Sequence, residues 1–215
     1  MSTLVLSKEE LVKLVTKLVI EALLAKEVSI PIGISNRHAH LSREDMDILF
    51  GKDSELTRLR DLRQPGQFAA EEVISIKGPK GQLNRVRILG PLREKTQVEI
   101  SLSDSYLLGV TPPVRESGKH QNTPGLEIIG PKGSTVKDRG TIVALRHIHL
   151  DSRSAASLGI KDGDYVSVEL GGERGAIFKN VLLRVSDSYV PEMHIDLDEA
   201  NAVKAINGQK VTVVK

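Results

Sequence analysis

The chain has 215 residues, 40% of them hydrophobic and 27% charged, enough for one large or two small globular units. Thirty Lys and Arg face 28 Asp and Glu, a formal net charge of +2 with the two signs interspersed; with three Phe, three Tyr and no Trp, this is not the surface of a non-specific nucleic-acid binder. Cysteine is absent, which excludes disulfides, cysteine zinc sites and a cysteine nucleophile. No apolar run approaches the ~18 residues of a membrane helix, and the N-terminus lacks the basic start and small-residue cleavage site of a secretory signal. These features fit a cytosolic protein.

The first predicted element is a helix over residues 7–26. Ser7 followed by Glu10 is a capping-box pattern. Leu11, Leu14, Val15, Leu18, Ala22 and Leu23, with Ala25 close by, form an apolar stripe at helical spacing, and Lys13, Lys17 and Glu21 lie off it. Such a stripe packs on its own domain, on a second subunit or on a detached partner, and spacing does not choose among them. After Glu27 the texture changes. β-Branched runs at 73–77, 84–89, 97–102, 126–129, 141–145, 165–170, 176–185 and 210–214 are separated by turn signals such as Lys161-Asp162-Gly163-Asp164. Many short strands without long intervening helices predict a mainly β protein of barrels or sandwiches, not a doubly wound α/β sheet. Short helices are expected at 42–50, 152–158 and 198–206; Gly51 and Gly159 stop the first two, and Asn207-Gly208 follows the third.

Fragments of the chain recur. Arg37-His38-Ala39-His40-Leu41-Ser42 returns as Arg146-His147-Ile148-His149-Leu150-Asp151, each after an apolar strand and before a short helix. Ser103-Asp104-Ser105-Tyr106 returns as Ser186-Asp187-Ser188-Tyr189, and Gly78-Pro79-Lys80-Gly81 as Gly130-Pro131-Lys132-Gly133. The last match is common turn chemistry. The others predict two related β units packed together, with the His-x-His motifs meeting near a pseudo-twofold axis.

Five of the six histidines fall in these two pairs plus His194. Residues i and i+2 of a strand point to the same side, so both imidazoles of a pair can face one point. Neutral imidazole is a good zinc ligand, and four such histidines can feed one metal or two. Glu99 lies in a predicted strand, where alternation alone sends it to solvent. His120, in a segment rich in Gly, Lys and Asn, is expected to be a solvated loop histidine. Arg93, in Gly90-Pro91-Leu92-Arg93, offers a guanidinium suited to phosphate. The helices after both His-x-His motifs offer amide donors that favour anions. No P-loop or G-x-G-x-x-G pattern occurs.

The run Ile32-Gly33-Ile34-Ser35-Asn36-Arg37-His38-Ala39-His40-Leu41-Ser42, with Gly90-Pro91-Leu92-Arg93 and Arg146-His147-Ile148-His149-Leu150, resembles the PduL-type phosphate propanoyltransferases from about Pro31 to the C-terminus. The resemblance implies interconversion of short-chain acyl-CoA plus phosphate with acyl phosphate plus CoA, two packed antiparallel β-barrels with short capping helices, and two zinc ions per chain. It implies that His38, His40, Glu99, His147, His149 and His194 are the metal ligands and that Arg93 holds the phosphate. One barrel would combine 28–36 with 145–215, the other would span 37–144, and 1–27 would be an amphipathic helix. In the family such a helix serves as an encapsulation peptide, so the protein is expected in the bacterial cytoplasm, either free or within a microcompartment that degrades propanediol. Shell proteins are then the helix's partners, and the stripe also leads us to expect a homo-oligomer.

Without cysteine, direct attack of phosphate on the thioester is the simplest route, and Ser117, in Pro113-Val114-Arg115-Glu116-Ser117-Gly118, reads as a turn serine before it reads as a nucleophile. The rival readings are a zinc-dependent thioester hydrolase, which would release free acid, and a non-catalytic scaffold stabilised by metal. The acyl chain is not encoded in these motifs, because one methylene changes binding by only ~1–3 kcal/mol.

Overall fold

The structure, a computed structural model, describes residues 7–214, and for 21–27 the backbone alone. Its elements in chain order are α1 (Lys8–Glu27), β1 (Ile30–Ser35), β2 (His38–His40), α2 (Arg43–Phe50), β3 (Arg58–Asp61), β4 (Phe68–Lys77), β5 (Gln82–Gly90), β6 (Gln97–Glu99) and α3 (Leu102–Leu108). They continue with β7 (Val114–Arg115), β8 (Glu127–Ile129), β9 (Ser134–Val136), β10 (Thr141–Ala144), β11 (His147–Leu150), α4 (Ser152–Leu158), β12 (Tyr165–Leu170), β13 (Ala176–Val185), β14 (Glu192–Asp196), α5 (Leu197–Val203) and β15 (Lys210–Val214). Each short helix starts at an oxygen-bearing cap, Ser42, Ser101, Asp151 or Asp196, which accepts from the amide three residues on. Gly109 and Gly159 end α3 and α4 in the left-handed conformation that glycine adopts at least cost.

The protein is mainly β. Strands β1-β14-β11-β13-β12-β15 close a six-stranded barrel, and β7-β10-β6-β2-β5-β4-β8-β9, with β3 on β4, form a curled half-barrel sheet. The pairing is mixed, not antiparallel throughout: β1 runs parallel to β14, β11 to β13, β2 to β5, and β10 to β6. For β1 with β14 and β10 with β6, the setting is an exchange of leading strands. β1 enters the barrel, yet the next strand, β2, lies in the curled sheet; β10 lies in the curled sheet, yet β11 lies in the barrel. A strand that leaves its own half must be received beside a strand of the other.

Each half has its own core. Ile30, Ile32, Ile148, Leu150, Leu183 and Met193 belong to the barrel's, and Ala39, Leu41, Met46, Leu49, Ile88 and Val98 to the sheet's. The register makes the halves equivalent: β2 with β6 and β11 with β14 are matching antiparallel pairs, placing His38 opposite Glu99 and His147 opposite His194. A clamp repeats with them. Arg37 forms two hydrogen bonds, 2.6 and 2.8 Å, to Asp104, and Arg146 donates at 3.0 Å to Glu199. Each Arg precedes its His-x-His, and each acid stands five residues after the opposing ligand.

The Ser-Asp-Ser-Tyr repeat does not follow this equivalence. Its first copy lies in α3, which the sequence assigned to no helix, and its second forms a turn closed by Tyr189 N to Ser186 O. The counterpart of α3 is α5. The Gly-Pro-Lys-Gly repeat, by contrast, is more than turn chemistry. Lys80 N donates to Leu108 O at the end of α3, and Lys132 N donates to Leu49 O at the end of α2, each at 3.0 Å. Each turn thus satisfies a helix-terminal carbonyl. Glycine is needed for the approach, since a Cβ on Gly78 or Gly130 would fall 2.2 or 2.5 Å from that carbonyl oxygen.

The capping box of Ser7 and Glu10 forms as the sequence predicts. Helix α1 approaches α4, but Leu11, Leu14, Val15 and Leu18 stay about half exposed, so the stripe is not buried on the chain's own core. Ala22, Leu23 and Ala25 lie outside the described side chains.

Candidate metal and anion centre

Alternation along β2 and β11 aims the histidines. Ala39 and Ile148 are fully buried in the two cores, which turns His38, His40, His147 and His149 to the opposite faces. Those faces line one cavity of about 920 Å³, shared by Glu99, His194 and Arg93. The predicted site residues are therefore brought together, including three that lie outside the His-x-His motifs.

His38, His40 and Glu99 form the one trio, among the described residues, whose donor atoms all lie within 4.8 Å of one another. Glu99 is buried, not solvent-facing, because the cavity wall covers the face that alternation assigned to water. His38 places Nδ1 2.9 Å from Asn36 O, so that nitrogen carries the proton and Nε2 is turned to Glu99 Oε2 at 3.5 Å. Burial alone would lower the His38 pKa, but the Glu99 carboxylate outweighs it and the pKa is raised. Burial likewise opposes ionisation of Glu99, yet His38, His40 and Ser117 hold it well below the ordinary carboxylate range. His40 is pushed down to about 3 by burial and by His38.

His147, His149 and His194 have ring centroids 4.8–5.1 Å apart. His147 places Nδ1 2.8 Å from Leu145 O, the same second contact that His38 makes. With no carboxylate among the three members of this trio, His147 and His149 are both lowered. Burial, then His194, lowers His147 to about 4; burial, then His147 and His194, lowers His149 to about 2. Glu192, buried beside it, accepts from His194 Nε2 at 3.0 Å and from Gln64 Nε2 at 2.9 Å.

Arg93 follows β5, and its backbone N–H is held by Leu41 O at 2.9 Å. Its side chain reaches the cavity and donates to Ser117 Oγ at 3.0 Å; burial pushes its pKa down and Glu99 opposes that. Ser117 is thus a structured cavity residue, and it also donates to Glu99 Oε1 at 3.0 Å. His120 is not a solvated loop histidine. It is partly buried, with Nε2 2.9 Å from Gln97 Oε1. The short helices contribute no anion site, for no residue of α2 or α4 lines the cavity.

Sequence reasoning passed over Gln97, Glu192, Gln64 and Arg184. Arg184 sits in β13 opposite His149 and lines the cavity. The first two carried a signal in hindsight: each stands two residues before a candidate ligand, on the same strand face. The cavity also exposes Arg60, Arg85 and Arg87, a cationic rim suited to a polyanion.

The residues fit a divalent cation of borderline softness. Nitrogen and carboxylate donors converge, two imidazoles are oriented by backbone carbonyls as metal-binding histidines usually are, and Nδ1 of His40 and of His149 is buried without a well-formed hydrogen bond. Fold and cavity define a mainly β enzyme-like protein with a histidine-rich, cationic cleft between a barrel and a half-barrel. A family model described as phosphate propanoyltransferase matches residues 31–206. A phosphate propanoyltransferase of Rhodopseudomonas palustris is 56% identical over 86% of this chain and 82% of its own length. Those of Thermotoga maritima, 52% identical over 90% and 92%, and of Citrobacter freundii, 47% identical over 95% and 96%, are similar over nearly their whole lengths. The chain belongs to the phosphate propanoyltransferase family and is an acyltransferase.

Proposed function

We propose that the protein interconverts short-chain acyl-CoA, such as propanoyl-CoA or acetyl-CoA, and phosphate with acyl phosphate and CoA. The observation that carries this reading is the single cavity in which two histidine trios, Arg93 and an arginine rim converge. His38, His40 and Glu99 would hold one divalent ion, with zinc the best match to the donor set, and His147, His149 and His194 a second. Such ions, when bound, supply Lewis-acid stabilisation of the thioester oxygen or of the departing sulfur.

The chain's own residues supply the rest. Arg93, beside Arg184, holds phosphate in line with the acyl carbon, converting a bimolecular attack into a positioned one. A phosphate oxygen forms the new C–O bond, the C–S bond breaks, and the thiolate leaves with the electron pair. Arg60, Arg85 and Arg87 suit the phosphates of CoA. Ser117 is not needed as a nucleophile: its proton is directed at Glu99, and Arg93 and Gln97 donate to its oxygen.

The strand pairing supports a division into 1–27, 28–36 plus 145–215, and 37–144. The exposed stripe of α1 supports docking of that helix to a microcompartment shell or to a second copy. No described helix is long and apolar enough to cross a membrane.

The test of the chemistry is thiol release from propanoyl-CoA, followed with a chromogenic reagent. The protein itself adds no thiol. Release that requires both phosphate and metal is expected. Release without phosphate would replace the transferase with a hydrolase, and no release from metal-loaded protein would overturn the reading.

A further inference from the structure

Gln97 is 1% exposed and lies one strand position pair before Glu99, on the same face of β6. Its amide has only one orientation that satisfies its neighbours. The backbone N–H of Gly118, 2.7 Å away, can only donate, so the atom facing it is Oε1. His120 Nε2, 2.9 Å from the same oxygen, must then carry its proton. The amide nitrogen is left to donate to Glu99 Oε1 at 2.6 Å and to Ser117 Oγ at 2.8 Å.

This orientation settles Ser117 as well. Its oxygen accepts from Arg93 at 3.0 Å and from Gln97, and its proton goes to Glu99 at 3.0 Å. One donor and two acceptor positions are all that a hydroxyl has, and all are used. Ser117 therefore links the candidate anion group to the candidate metal ligand, with Gln97 holding both Ser117 and Glu99. The matching position of the barrel shows the same logic with the polarity reversed: Glu192, two residues before His194, accepts from that imidazole at 3.0 Å. In each half the residue two before the ligand supplies the complementary hydrogen-bonding group.

We propose that Gln97 is the positioning residue that couples anion binding at Arg93 to cation binding at the His38–His40–Glu99 trio, acting through Ser117. The proposal rests on the reading of Arg93 as the phosphate group's partner. An anion that draws Arg93 toward itself changes what Ser117 accepts, and a fully used hydroxyl passes that change to Glu99. Coulomb attraction couples any anion to a nearby cation; the proposal concerns the share that depends on Gln97.

The experiment titrates the full chain with cobalt(II), whose visible bands report its coordination, with and without inorganic phosphate. E99Q identifies the bands of this trio. Phosphate is expected to tighten cobalt binding there, and in Q97M the affinity is expected to fall about tenfold, in the range of lost outer-shell partners, with the phosphate effect cut to less than about twofold. In turnover, Q97M is expected to raise the KM for phosphate about tenfold while leaving the KM for propanoyl-CoA within about twofold, a split that general loosening would not produce. S117A removes the shared atom while Glu99 keeps its bond from Gln97, serves if Q97M fails to fold, and in the double variant is expected to add nothing to Q97M. Unchanged cobalt affinity and phosphate coupling in both variants, equal shifts of both KM values, or effects that multiply would overturn the proposal. The cobalt titration needs no turnover, so failure of the transferase reading alone would appear as absent thiol release with the coupling intact.

Discussion

The two histidine trios occupy equivalent places in the two halves of the molecule, yet one contains a carboxylate and the other does not. Glu99 in the sheet and His194 in the barrel face their histidines from the same register position. With the carboxylate, His38 is raised and, with His40 and Ser117, holds Glu99 ionised; with the third imidazole, His147 and His149 are driven well below the usual range. A divalent ion would carry net +1 at the first trio and net +2 at the second. One exchanged residue in a repeated frame would therefore give two bound ions different residual charges, side by side in one cavity. With ions bound, the first would suit tight retention and the second polarisation of a substrate oxygen.

The sharpest break of this comparison is removal of the distinguishing group. E99Q is expected to lower affinity for zinc at the first trio more than about 100-fold, beyond the range of outer-shell losses, with activity falling in parallel. His147→Ala is expected to lose metal and activity together as well. Metal analysis of dialysed protein beside thiol-release rates checks both, and full metal content in E99Q would remove the carboxylate from its assigned role.

Next in size are the clamps. Arg37 engages a nearly fully buried acid through two bonds, Arg146 a partly exposed one through a single bond. Loss of a buried ion-pair partner is costly, so R37A is expected to destabilise by about 2–3 kcal/mol and R146A by about 1 kcal/mol, both discounted for solvent screening. Urea midpoints would show it, and equal losses would mean that the two halves share the load evenly. E192Q addresses the barrel trio alone. It keeps an acceptor toward His194 but removes the charge, and it is expected to weaken cation binding there about tenfold while leaving the first trio unaffected.

The effect of pH on the metal-free protein is a sum of opposed contributions. His147 and His149 stay neutral when folded down to about pH 4 and about pH 2, whereas unfolded histidine takes up a proton near ~6.5. The unfolded chain then binds more protons below that point, and stability falls as pH drops from about 6.5, by on the order of 1 kcal/mol per pH unit for each histidine. His38 works in the opposite sense: its raised pKa contributes stability below about 6.5 that is lost as pH rises through the folded value. Denaturation midpoints at pH 7 and pH 5 should thus differ less once His149 is replaced by Gln, and an unchanged difference would contradict the assigned shift.

Much of this molecule is legible in its residues. The capping box of Ser7 and Glu10, the glycines that stop α2 and α4, and the spans at 165–170, 176–185 and 210–214 are local matters of hydrogen-bond chemistry and alternation, and the structure has them as read. The short span of α3 was hidden because Val98, Ile100 and Leu102 alternate with polar residues, a strand period that runs on into its first residue. The repeated Arg-His-x-His gives both halves of the centre, since i and i+2 share a face whatever the fold. What local pattern could not supply is which residue completes each trio. Glu99 lies 59 positions beyond His40, and His194 lies 45 beyond His149, and only the antiparallel register of β2 with β6 and of β11 with β14 brings them opposite. The same holds for Gln97, Ser117 and Arg93, joined by side-chain bonds across three segments. Sequence determines faces and caps, because these depend on neighbours a few residues away; strand register and the exchange of β1 and β10 depend on burying two cores at once, and the tertiary structure alone decides them.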